Sequence, residues 1–119
     1  MKQILIVDDD PNIRELLKLR LQLNGYAVDE ASNGIEAFAK ISDKKPDLIM
    51  LDVAMPMLDG YQFIQTIRWR EEFKDIPILI LTGRTKTKEM FHDVGVENFL
   101  IKPFKTDELL HMVAGTMGN

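Results

Sequence analysis

The chain has 119 residues, 45% hydrophobic and 29% charged, which are the proportions of one globular domain covering residues 1–119. With no cysteine there is no disulfide framework, thiolate metal site or thiol nucleophile. Fifteen basic against nineteen acidic residues leave a formal charge of −4, the wrong sign for a nucleic-acid face, and no apolar run approaches the roughly 18 residues that cross a bilayer.

The first element follows Met1-Lys2-Gln3, a start without a cleavage-site pattern, so cytoplasm is the expected location. Ile4-Leu5-Ile6-Val7 is wholly apolar, as a parallel strand covered on both faces would be. A helix is predicted from Pro11, capped by Asp10, with Ile13, Leu16, Leu17 and Leu21 inward and a stop at Asn24-Gly25. Tyr26-Ala27-Val28-Asp29-Glu30 is a more polar strand, expected at a sheet edge. A second helix follows Asn33-Gly34, with Ile35, Phe38, Ala39 and Ile41 inward, and ends before Pro46.

Leu48-Ile49-Met50-Leu51 repeats the buried-strand pattern, and a third helix follows Asp59-Gly60 with Phe63, Ile64 and Ile67 inward. Ile78-Leu79-Ile80-Leu81 is the fourth strand. The basic stretch from Gly83 to Lys88 reads as the solvated start of a short helix within 86–94, closed by Gly95. Phe99-Leu100-Ile101 is the last strand, and a fifth helix is predicted after Thr106, with Asp107 and Glu108 in its first turn. Strands alternating with helices define an α/β fold on a parallel sheet with helices on both faces. Ligands of such sheets bind at the carboxyl ends of the strands.

Those ends carry the chemistry. The first strand ends in Asp8-Asp9-Asp10, the third in Asp52, the fourth in Thr82 and the fifth in Lys102-Pro103. Crowded carboxylates repel unless a cation intervenes, and an oxygen site with few ligands suits Mg²⁺ (or Mn²⁺). A carboxylate can attack phosphorus, and that reaction needs mainly positioning and charge neutralisation. Each residue also has a plainer explanation: Asp10 as a helix cap, Asp8 and Asp9 as turn residues, Asp59-Gly60 as a helix entry. Thr82 and Lys102 gain meaning from sharing a rim with Asp52.

Four blocks in this order, Ile6-Val7-Asp8-Asp9, Leu51 to Gly60 around Asp52, Leu81-Thr82-Gly83 and Phe99 to Phe104, resemble the receiver domain of response regulators along essentially the whole chain. The resemblance implies a five-stranded, flavodoxin-like sheet of order 2-1-3-4-5, an order that general accounts of this fold already illustrate with a chemotaxis receiver. It implies Asp52 as phosphoacceptor, with Asp8, Asp9, Asp52 and the Ala54 carbonyl around the metal. It implies Thr82 as switch hydroxyl, Lys102 as active-site ammonium, a cis Lys102–Pro103 peptide, and Phe99 as aromatic switch. The implied partners are a histidine kinase or phosphotransfer protein and an output protein, with no direct nucleic acid and no membrane. The implied chemistry is assistance to its own phosphorylation and dephosphorylation, without turnover of outside substrates.

Three departures accompany the resemblance. Gly83 stands where a small residue such as Ala is usual, Phe99 lacks the hydroxyl common there, and the Thr82–Lys102 segment is about two residues short. That last change is expected to displace the fourth-helix face. Three other readings compete. A flavodoxin-like cofactor binder needs a phosphate-cradling loop where Asp8-Asp9-Asp10 stand. A metal-dependent phosphohydrolase needs a second acid and a cap over its substrate. A pseudo-receiver would bind partners without phosphorylation.

Overall fold

The computed structural model describes residues 1–53, 58–85 and 87–118, with Leu58 and Asp59 described by their backbone alone. Five strands, β1 (Gln3–Val7), β2 (Ala27–Ala31), β3 (Leu48–Val53), β4 (Ile78–Thr82) and β5 (Asn98–Ile101), alternate with five helices. These are α1 (Pro11–Leu23), α2 (Gly34–Asp43), α3 (Leu58–Trp69), α4 (Thr87–His92) and α5 (Thr106–Thr116). The strands form one sheet of order β2-β1-β3-β4-β5, every neighbouring pair parallel, as expected.

The apolar runs explain why the inner strands sit at the centre. Alternate residues face opposite layers. Leu5, Val7, Ile49, Leu51, Ile78 and Ile80 face α2, α3 and α4. Ile4, Ile6, Leu48, Met50, Leu79 and Leu81 face α1 and α5. The edge strand β2 carries its charges in pairs, Asp29 with Lys40 at 2.9 Å and Glu30 with Lys18 at 3.2 Å. Charged side chains on an edge also discourage a further strand from adding there.

The helix boundaries follow local chemistry. Asp10 accepts from the Asn12 N–H at 2.9 Å and caps α1, and Asn33 accepts from the Glu36 N–H at 2.8 Å and caps α2. Gly25 and Gly95 take φ of 91° and 79°, left-handed conformations that release the chain after α1 and α4 at little steric cost. For α5 the cap is Lys105, one residue earlier than expected, and its N–H donates to Glu108 Oε1 at 3.0 Å.

Three inward assignments fail. Ile35 is 88% exposed and Ala39 is exposed, because the buried face of α2 is centred on Ala37 and Ile41. At 3.6 residues per turn, positions 35 and 39 lie about 200° round the helix from Ala37. Leu16 is likewise exposed, because α1 buries Leu17 and Leu21 instead.

Candidate functional site

The carboxyl rim gathers three of the expected side chains. The ladder continues past two strand ends, with Asp8 N–H donating to the Ala31 carbonyl at 3.1 Å and Lys102 N–H to the Thr82 carbonyl at 2.7 Å. Alternation therefore places Asp8 beyond Ile6, Asp52 beyond Met50 and Lys102 beyond Leu100, on the pleat that faces α1 and α5. Asp52 is the penultimate residue of β3, one residue short of the strand's last. The Lys102–Pro103 peptide is cis.

Asp8 and Asp52 are buried, at 4% and 3% exposure. The Lys102 ammonium donates to Asp52 Oδ1, and the Asp10 N–H donates to Asp8 Oδ1 at 3.0 Å. Asp8 Oδ2 and Asp52 Oδ2 are buried with no hydrogen-bond partner among the described residues. Burial above all, then the neighbouring Asp52 charge, raises the Asp8 carboxyl from 3.8 to about 7, against the opposing Asp10 N–H bond. A cavity of about 580 Å³ opens beside the pair, lined by Asp8, Asp9 and Asp52 at one end and by Phe38 and Phe63 further along.

Two orphaned carboxyl oxygens beside one cavity fit a hard divalent cation, which satisfies such oxygens without needing a donor hydrogen and favours their ionised form. Among the described residues no three acidic or histidine side chains gather as a cage. Asp9 is exposed at the rim, and Ala54, expected as a carbonyl ligand, lies outside the described residues. One or two carboxylates with water and phosphate oxygens are the usual set for Mg²⁺. Asp10 is occupied as the cap of α1.

Thr82, 1% exposed, is the last residue of β4 and continues the pleat of Ile78 and Ile80 toward α4. Phe99 pairs in register with Ile80 and packs half-buried on that same layer. A Cβ at Gly83 would meet nothing within 4 Å, and its φ is not left-handed, so the geometry there does not require glycine. α4 is a six-residue helix whose Phe91 is fully buried, anchoring it to the sheet despite its brevity.

Two residues enter this site that sequence reasoning passed over. Arg14 Nη1 donates to the Asp8 carbonyl at 2.6 Å while Arg14 Nε lies 3.4 Å from Glu30 Oε1, so one guanidinium ties the Asp8 turn to β2. The spacing of Arg14 and Lys18 on one face of α1, opposite the acidic Asp29-Glu30, was the available signal. Thr87, the first residue of α4, meets the Thr82 hydroxyl.

The family profile of the response regulator receiver domain matches residues 4–114. The DNA-binding dual master transcriptional regulator RpaA of Synechocystis sp. is 42% identical over 115 residues, which are 95% of this chain and 48% of that protein. The chain spans about half the length of the curated relatives it matches. Among solved structures, the chemotaxis response regulator CheY4 of Vibrio cholerae has 36% identity and a TM-score of 0.88, covering 98% of each chain. The response regulator TrrA of Thermotoga maritima, in complex with Mg²⁺ and BeF, has 40% identity and a TM-score of 0.84, covering 98% of this chain and 99% of that one. The chain belongs to the response regulator receiver domain family. Members of this family are phosphoacceptors of two-component systems. Among the described residues no helix is long and apolar enough to cross a membrane.

Proposed function

We propose that Asp52 is the phosphoacceptor, that a histidine kinase or phosphotransfer protein is the donor, and that phosphorylation alters the affinity of this domain for an output protein. The observation that carries this reading is the Asp52 carboxylate itself. It is buried at the rim, with one oxygen on the Lys102 ammonium and the other without a hydrogen-bond partner among the described residues. Such an oxygen is free to attack phosphorus. As the bond from Asp52 to phosphorus forms, the bond from phosphorus to the donor nitrogen breaks, and the electron pair leaves with that nitrogen. Lys102 holds its ammonium beside the negative charge that gathers on the phosphoryl oxygens. Thr82 offers a hydroxyl donor to one of those oxygens.

Asp8, Asp9, Asp52 and the Ala54 carbonyl would hold Mg²⁺ or Mn²⁺. A bound divalent cation supplies positive charge against the phosphoryl oxygens and the paired carboxylates. The same residues assist the reverse loss of the phosphoryl group to water. The domain is thus a self-modifying switch rather than an enzyme with outside substrates. A flavin-type phosphate cradle suits this rim poorly, because buried carboxylates stand where N–H donors would be needed.

Labelling by acetyl phosphate should require Mg²⁺ and stop when the cation is chelated. Asp9→Ala should weaken Mg²⁺ binding at least about tenfold, the loss expected when a ligand is removed. Asp10→Ala should leave binding nearly unchanged and lower stability by about 0.5–2 kcal/mol through loss of the α1 cap. A metal titration and a urea denaturation on each variant separate the two roles. Equal loss of Mg²⁺ binding in both would show the acids to be misassigned.

A further inference from the structure

The hydroxyl of Thr82 is already engaged. Its oxygen accepts from the Arg84 N–H at 3.1 Å, lies 2.9 Å from the Thr87 hydroxyl, where either oxygen can be the donor, and has the Arg84 carbonyl 3.4 Å away as a second acceptor. The Thr87 N–H also lies 3.3 Å from the Arg84 carbonyl, so the start of α4 sits close to the end of β4. Whichever hydroxyl donates, the contact fixes the Thr82 oxygen beside Thr87, and the single Thr82 hydrogen serves one acceptor at a time. Thr82 belongs to the pleat facing α4, whereas Asp52 belongs to the pleat facing α1 and α5. The bond to Thr87 therefore holds the hydroxyl on the side of the sheet away from the Asp52 carboxylate.

We propose that Thr87 is a latch on the switch: the Thr82–Thr87 hydrogen bond must be given up before Thr82 can bond a phosphoryl oxygen on Asp52. This inference rests on the phosphoacceptor reading of Asp52. Its structural consequence is local. Phosphorylation frees the first residue of α4 from its side-chain tether while Phe91 keeps the helix anchored in the core. Lys88 and Glu89, which follow Thr87 and line a groove with Phe99 and His92, are the residues carried by that movement. Thr87 is a positioning residue, since it acts on the phosphoryl group only through Thr82.

The test is a calorimetric titration of the full chain with beryllofluoride in excess Mg²⁺, a mimic of the phosphoryl group. Thr87→Val keeps the side-chain shape and removes the hydroxyl, and Thr87→Ala is a second variant should the valine disturb folding. Both should bind beryllofluoride about two- to tenfold more tightly than the wild type, the range expected for one net hydrogen bond no longer broken on activation. Thr87→Ser should behave as the wild type. In a Thr82→Val background, adding Thr87→Val should change nothing, because the latch has lost its other half. Unchanged affinity in the Thr87 variants, or a gain that persists without the Thr82 hydroxyl, overturns the latch while leaving the phosphoacceptor reading intact. Failure of the wild type to bind beryllofluoride at all overturns both.

Discussion

Metal-free protein should lose stability as pH rises from about 4 to about 7, and Asp8→Asn should remove that loss. Unfolded, Asp8 titrates near its ordinary 3.8; folded, burial and the Asp52 charge hold the carboxyl at about 7. The folded state therefore binds more protons than the unfolded state across that window. Stability contributed by this group is complete below the unfolded value and falls as pH rises through the folded one. The shift sets an upper bound of about 4 kcal/mol at pH 8. An asparagine keeps the oxygen that accepts from the Asp10 N–H and places an amide donor near Asp52 in place of a second negative charge. Urea denaturation of both proteins at about pH 5 and pH 8 isolates this term from every other titrating group. Wild-type and variant stabilities that run parallel across the window would contradict it.

Lys102→Met should destabilise the metal-free protein by about 3 kcal/mol, because it strands a buried carboxylate. Asp52 has 2% side-chain exposure and pairs with Lys102, which is itself 28% exposed. Removing one partner of a buried pair typically costs about 3–5 kcal/mol, mostly through the charge left behind. The lower end is expected because Lys102 is itself part-exposed, so the pair is not wholly cut off from water. With Asp52→Asn already in place no charge is stranded, and the same lysine substitution should cost less than about 1 kcal/mol. Additive effects in the double variant would mean that the two side chains do not support one another.

The fold was legible because its signal is coarse. Runs such as Ile4–Val7 and Ile78–Leu81 announce buried parallel strands by composition alone, and Asp29-Glu30 announces an edge. The strand order came only from resemblance, since no periodicity specifies which strand lies beside which. Facing was less legible where apolar residues cover more than one side of a helix. Ile35 and Phe38 both look inward by hydrophobicity, yet the lever that decides is where Gly34 packs, with Phe63 Cβ 3.3 Å from the place a Gly34 Cβ would occupy. That close approach puts Ala37 and Ile41 inward and turns Ile35 out.

The site divides in the same way. Asp8, Asp52, Thr82 and Lys102 stand at strand ends, where alternation and sheet topology place them. Thr87 and Arg14 owe their positions to a turn and a side-chain reach that no spacing rule reports. Their partners become visible only once the loop after β4 and the turn after β1 are drawn in space.

The most direct measurement is the mass of the intact protein after incubation with acetyl phosphate and Mg²⁺, for the wild type and for Asp52→Asn. The carboxamide is not a nucleophile toward phosphorus, while its size and its oxygen toward Lys102 are kept. The expected result is one phosphoryl adduct on the wild type, stable in acid and lost in base, and none on the variant. An undiminished adduct on Asp52→Asn would contradict the assignment of Asp52 as phosphoacceptor.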